Sequence, residues 1–223
     1  MVASGTLRFL MLFISVIWNV YTMNCIFVDS KTAEGLAKAI LYLHDKQLIH
    51  GDLKSSNVLL DEDLRPKLSD FGTTVVAPTV VHNLIATYGF ADPMFLRSGE
   101  LTNKTDVYSF GVIMLELISG HTAIDDLLVD GIVRERHSIV LWARRIIEER
   151  QFVELADPHM PDSPGAGFIE ILEFVHRCVR VDPDERPSIT DAVALLTQFS
   201  QSLKTPGAGP STSSINEISE EGK

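Results

Sequence analysis

The sequence predicts an α+β chain that is mainly helical and carries one short β-hairpin. Three observations predict it. Five segments place apolar residues at helical spacing, and two short β-forming runs flank an acidic turn containing a proline. A hydrophobic content of 45% over 223 residues is enough to build a real core in one or two domains.

The N-terminus comes first. From Phe9 to Val28 the chain runs without a charge through FLMLFISVIW, long enough for a membrane span, although Asn19, Thr22 and Asn24 weaken its second half. Three readings of residues 1–29 stand. They are a membrane anchor, a stretch from an aberrant gene model or alternative start, and a cleaved signal that lacks a clear small-x-small site. Arg8 before the run and Asp29 after it would, by the positive-inside rule, place the rest of the chain outside the cytosol, and Lys31 partly cancels that bias.

Thr32 to Lys46 reads as a helix, with Ala33, Leu36, Ala37, Ile40 and Leu43 on one face. It runs directly into Ile49-His50. Val58-Leu59-Leu60 and Lys67-Leu68-Ser69 then read as strands joined by the turn Asp61 to Pro66. Such a hairpin brings the loop before it beside the loop after it, so Asp52 and Asn57 are expected near Asp70. Oxygen-rich side chains converging in this way suit a hard cation such as Mg²⁺, with phosphate and water completing its shell.

An unusually apolar segment, Thr73 to Phe90, comes next and ends in Asp92-Pro93-Met94. Lys104 to Ile118, closed by Gly120, is apolar nearly all round and is expected to be a buried central helix. Asp106 in its first turn is favoured there by the helix dipole. Ser138 to Arg150, Gly167 to Arg180 and Ser188 to Ser202 each carry an apolar stripe, and residues 204–223, rich in Gly, Pro, Ser and Glu, read as a disordered tail.

His50-Gly51-Asp52-Leu53-Lys54-Ser55-Ser56-Asn57 with Asp70-Phe71-Gly72 downstream resembles the catalytic loop and metal-binding loop of eukaryotic protein kinases. The wording of HGDLKSSNVLLD, DVYSFGV, LELISG and DPDERPS is similar to the plant receptor-like Ser/Thr kinase group, and the resemblance covers about Lys31 to Leu203. It implies a protein-kinase-like fold in which residues 30–203 form the mainly helical C-terminal lobe. It also implies ATP and Mg²⁺ as cofactors, Asp52 and Lys54 as catalytic residues, Asn57 and Asp70 as metal ligands, and Leu59 as a floor for adenine. Thr87 would bridge Asp52 and Lys54, as in Ser/Thr kinases, and Asp106 would accept backbone hydrogen bonds from His50 and Gly51.

Two departures matter. Met94 stands where the family has a glutamate paired with a buried arginine, here Arg186. Removing one partner of such a pair costs about 3–5 kcal/mol unless another charge takes its place, so either a second acid meets Arg186 or the lobe is loosened. Gly51 replaces the arginine that reads a phosphorylated activation loop, which makes loop phosphorylation a weak switch.

A complete kinase also needs a Gly-rich loop, a strand lysine and a helix glutamate ahead of this region. No G-x-G-x-x-G precedes Asp52, and the lysines there, Lys31, Lys38 and Lys46, lie on the helix read at Thr32 to Lys46 or at its end. The chain as written is therefore expected to turn over ATP poorly, and the face bearing Leu59 and Phe71 is expected to be open. Two classes of function remain: a Ser/Thr kinase whose upper lobe is not in this sequence, or a kinase-derived binding or scaffold module. Expected partners are ATP, a protein substrate or partner kinase, and a membrane through residues 9–28. The lobe is expected to be cytosolic at a membrane, or alternatively cytoplasmic. A net charge of −11 argues against nucleic acid, and two cysteines in no metal spacing fit a reduced compartment.

Overall fold

A computed structural model describes residues 25–81, 86–129, 132–157 and 166–203. The first helix, α1 (Cys25–Asp45), leads through strand β1 (Leu48–Ile49) to the hairpin of β2 (Val58–Leu60) and β3 (Pro66–Leu68). Strands β4 (Val75–Val76) and β5 (Thr79–Val80), helix α2 (Pro93–Ser98) and strand β6 (Glu100–Leu101) come next. Helix α3 (Asn103–Ser119) precedes a long ribbon of β7 (Ile124–Val129) and β8 (Ile132–Ser138). The last described elements are helices α4 (Ile139–Glu148), α5 (Phe152–Leu155), α6 (Ala166–Cys178) and α7 (Ile189–Ser202). Among the described residues the four sheets are each two-stranded and antiparallel.

The α3 helix is the central post. Thr102 caps its start in a capping box with Thr105, and Gly120 ends it at φ 70°, a left-handed conformation that glycine adopts without a Cβ penalty. Val107, Phe110, Val112 and Leu115 on α3 are buried against Leu36 and Ile40 of α1 and Leu172 and Val175 of α6. The fit around α3 is tight, since a Cβ on Gly111 would lie 2.7 Å from Cys178 Cβ. Other helices carry their own start signals: Ser188 and Asp191 form a capping box on α7, and Asp92 with Pro93 opens α2.

Several boundaries differ from the sequence reading, each for a physical reason. The α1 helix starts at Cys25 rather than Thr32, so the expected boundary at residue 29 falls inside it. Residues 1–24, with most of the apolar run, lie outside the described residues, as does the tail from 204; no described helix is long and apolar enough to cross a membrane. Pro66, expected in the turn, opens β3 opposite Leu60, a strand start being a place where its missing N–H is tolerated. There it packs on α1 so closely that a Cβ on Gly35 would meet Pro66 Cγ at 2.6 Å. The β7–β8 ribbon is an element the sequence reading does not contain. Its signal is the Asp130-Gly131 dipeptide between two apolar runs, a strong short hairpin marker.

Candidate active site

The β2–β3 hairpin sets the site. Its register, Val58↔Leu68 to Leu60↔Pro66, leaves Asn57 beside Ser69, whose backbone N–H and hydroxyl both donate to the Asn57 carbonyl at 2.9 and 3.0 Å. The residue after Ser69 is Asp70, so the two loops are joined beside Asn57 and Asp70, the two residues expected as oxygen ligands. Asp70 takes φ 61° and ψ 69°, a left-handed conformation open to Asp but to few other L residues. Asn57 is buried, and its Nδ2 donates to the Asp52 carbonyl at 2.9 Å, leaving Oδ1 as the acceptor available to a ligand.

Asp52, Lys54 and Thr87 form a closed triangle. Lys54 Nζ donates to Asp52 Oδ2 at 2.7 Å and to Thr87 Oγ1 at 2.9 Å, while the Thr87 hydroxyl donates to Asp52 Oδ1 at 2.6 Å. Burial pushes the Asp52 carboxyl up, but the bonds from Lys54 and Thr87 outweigh it and hold the group below the usual carboxylate range. Asp52 therefore stays ionised and fixed in orientation. Thr87 reaches the triangle from 33 residues beyond Lys54.

Asp106 holds the loop from beneath. It is 1% exposed, and its two oxygens accept the His50 N–H at 2.9 Å and the Gly51 N–H at 3.0 Å. His44, at the end of α1, places Nε2 3.0 Å from the same carboxylate. Two residues the sequence reading left out of the site are struts here. His50, fully buried, lies 3.0 Å from the Ser69 carbonyl through Nε2, accepts Thr73 Oγ1 on its own carbonyl at 2.9 Å, and packs its ring 5.3 Å from Phe71. His44 lies in the last turn of α1, and the local sequence shows no residue for it to meet. Gly51 takes φ 80°, with Thr73 O 3.1 Å from where a Cβ would be.

Of the two outcomes expected for Arg186 with Met94 in place, the structure corrects the loosened lobe and supplies the second acid, Asp92. The Arg186 guanidinium meets Asp92 in a bidentate pair, Nη1 to Oδ2 and Nη2 to Oδ1, both at 2.7 Å, with each residue 2% exposed. Further N–H groups of Arg186 donate to the carbonyls of Arg180, Lys104 and Val181, and Tyr108 lies under its plane at 5.0 Å. Asp92 also accepts the Met94 N–H at 2.8 Å as the cap of α2. The pair is intact because a shorter acid two residues earlier, fixed by its cap, reaches the same arginine.

Leu59 lies on β2 opposite Lys67, half-buried, while its neighbour Val58 packs into the core. By strand alternation Leu59 thus faces away from the core. Phe71 is 50% exposed, and Leu59 on the same expected face is half-buried. No group of three or more His, Cys, Asp or Glu side chains that could hold a metal occurs among the described residues. One carboxylate and one amide oxygen nevertheless fit Mg²⁺, which keeps several waters and takes phosphate oxygens for the rest.

Comparison with known proteins agrees with this arrangement. Residues 24–196 match the family model described as protein kinase domain. Three proteins of Arabidopsis thaliana are similar to the chain. Probable serine/threonine-protein kinase PBL7 is 40% identical over 195 residues, 83% of this chain and 50% of its own length. Serine/threonine-protein kinase PBS1 is 39% identical over 79% of this chain and 40% of its own length, and serine/threonine-protein kinase PBL27 is 40% identical over 79% and 36%. The chain thus spans about half or less of the relatives it matches. With its fold, its loop motifs and its match over most of its length, the chain belongs to the protein kinase domain family, within the plant receptor-like serine/threonine group.

Proposed function

We propose that this chain carries the substrate-orienting and metal-holding half of a serine/threonine protein kinase site. The observation that carries the proposal is the Asp52–Lys54–Thr87 triangle, closed by bonds of 2.6 to 2.9 Å. In this reading the ionised Asp52 accepts a hydrogen bond from the acceptor Ser or Thr hydroxyl and aims its oxygen at the γ-phosphorus. Lys54 stabilises charge that develops on the transferred group. The family generally uses ATP and Mg²⁺. Asn57 and Asp70 would hold the Mg²⁺, which neutralises phosphate charge, and Leu59 would lie under the adenine.

Phosphoryl transfer also needs a Gly-rich cover and a strand lysine, and neither is present in residues 1–51. The enzyme reading therefore calls for a longer form of the protein. A non-catalytic binding or scaffold module is the second reading, favoured by the half-exposed Phe71 ring. The uncharged run Phe9–Val28 is long enough for a membrane-tethered form, and a cytoplasmic form is the alternative. Cell fractionation separates these two.

The deciding experiment captures the endogenous protein with an antibody to Gln201–Lys223, then measures its intact mass and its phosphorylation of a Ser/Thr peptide library. A species longer by roughly 100 residues, enough for a second lobe, with activity abolished by Asp52→Asn, is the expected result. A mass near 24.7 kDa with no activity would overturn the enzyme reading in favour of the module.

A further inference from the structure

A cavity of about 490 Å³ opens between α2, α4 and the turn that joins α6 to α7, and its lining shares no residue with the Asp52 site. That volume is in the range of small-molecule sites. Met94, Arg144 and Pro183 are half-buried and line its deeper part. Glu148, Arg180, Val181, Asp182 and Glu185 are exposed and form its rim. Arg144 and Glu148, one turn apart, share a face of α4.

Charge in this cavity changes sign with depth. Arg144 Nε is buried, and it has no hydrogen-bond partner among the described residues. An enclosed N–H without an acceptor is costly, so a carboxylate brought to that depth gains a charge-assisted bond. Met94 carries no charge, and the deep wall therefore supplies no anion of its own. On the rim, Arg180 Nε and Glu185 Oε2 stand 3.9 Å apart and offset each other. Asp182 accepts the Asp184 N–H at 3.0 Å on one oxygen and keeps its charge. Glu148 and Asp182 thus leave the rim negative above a positive floor. His176 of α6 feels the same groups. Burial first, then the cations Arg180 and Arg144, push its imidazole below the ordinary range against an upward pull from Glu148. Its Nε2 is a second buried nitrogen without a partner among the described residues.

We propose that this cavity binds a small zwitterionic ligand, with its carboxylate on Arg144, its cationic end at Glu148 and Asp182, and a hydrocarbon middle against Met94, Val181 and Pro183. A lone carboxylate is repelled by the rim, and a lone cation leaves Arg144 without an acceptor. A molecule charged at both ends meets each level with the opposite sign. The three apolar residues add contact area for a hydrocarbon spacer. This site is independent of the proposed kinase reading, because no residue of the Asp52 site takes part in it.

The test titrates the full chain with ε-aminocaproate, caproate and hexylamine, by calorimetry and by NMR of the arginine Nε–Hε signals. Binding of ε-aminocaproate is expected to be about tenfold or more tighter than that of either singly charged analogue, and it should shift the Arg144 signal. Arg144→Met should lose this binding. Glu148→Gln should shrink the preference for ε-aminocaproate over caproate. Should Arg144→Met fail to fold, the Arg144 signal of the unaltered chain and the Glu148→Gln comparison decide. Equal affinity for the three compounds, an unmoved Arg144 signal, an unchanged preference in Glu148→Gln, or full binding by Arg144→Met would overturn the proposal. So would the absence of saturable binding of ε-aminocaproate at about 10 mM.

Discussion

Replacing Asp92 by Ala is the sharpest perturbation the fold offers. The substitution removes both 2.7 Å bonds to Arg186 in a site where each residue is 2% exposed, and it removes the cap on Met94 N–H. Stranding one member of a buried pair costs about 3–5 kcal/mol, and loss of an N-cap costs about 1 kcal/mol. The carbonyls of Arg180, Lys104 and Val181 still receive the guanidinium, so the total belongs near 3–5 kcal/mol rather than at the sum. For a chain of this size each kcal/mol lowers Tm by roughly 2–4 °C, which gives a drop of roughly 6–20 °C. Thermal and urea unfolding of the full chain measure it. The double variant Asp92→Ala/Arg186→Met should recover part of the loss, because no charge is then stranded. Met94→Glu alone should be nearly silent, since Arg186 is already satisfied. A Tm for Asp92→Ala within a degree or two of the parent, or a large gain from Met94→Glu, would refute the assignment of Asp92 as the partner.

Gly35→Ala should destabilise by about 1–3 kcal/mol through overpacking against Pro66, outweighing the helix-propensity gain of about 1 kcal/mol; a raised Tm would show that Pro66 yields. In Lys54→Met the Asp52 carboxyl should titrate higher than in the parent, because burial then acts with less opposition, and carboxyl NMR tracks it. In the parent, Asp52 has a folded pKa below the ordinary 3.8, so its contribution to stability is present above that value and is lost as pH falls through the lower folded pKa. A parent whose stability gained from protonating Asp52 would contradict that sign. Cys178 is fully buried, and burial pushes its thiol well up, so peptide mapping should find it alkylated only after denaturation.

The local parts of the site are legible because they are written in short-range patterns. The hairpin register comes from two β-forming runs and their turn, and that register alone brings Asn57 next to Ser69 and Asp70. The α3 helix announces itself by an all-round apolar surface, a Thr cap and a closing glycine. The ribbon is readable in principle from Asp130-Gly131, but it lies in a stretch without a helical stripe, where periodicity offers no guide.

Other features depend on partners far apart in the chain. Which acid serves Arg186 is decided 94 residues away, by the position of the α2 cap, and no local pattern distinguishes Asp92 from a plain N-cap. His44 and His50 become struts only when α3 sets the Asp106 carboxylate between them, 62 and 56 residues distant. The sequence by itself therefore determined the family, the helices and the hairpin that joins the loops, since periodicity, caps and turn chemistry act over a few residues. Tertiary structure alone decided how the buried charges are paired, because a desolvated ion takes whichever opposite charge the packed backbone brings within hydrogen-bond reach.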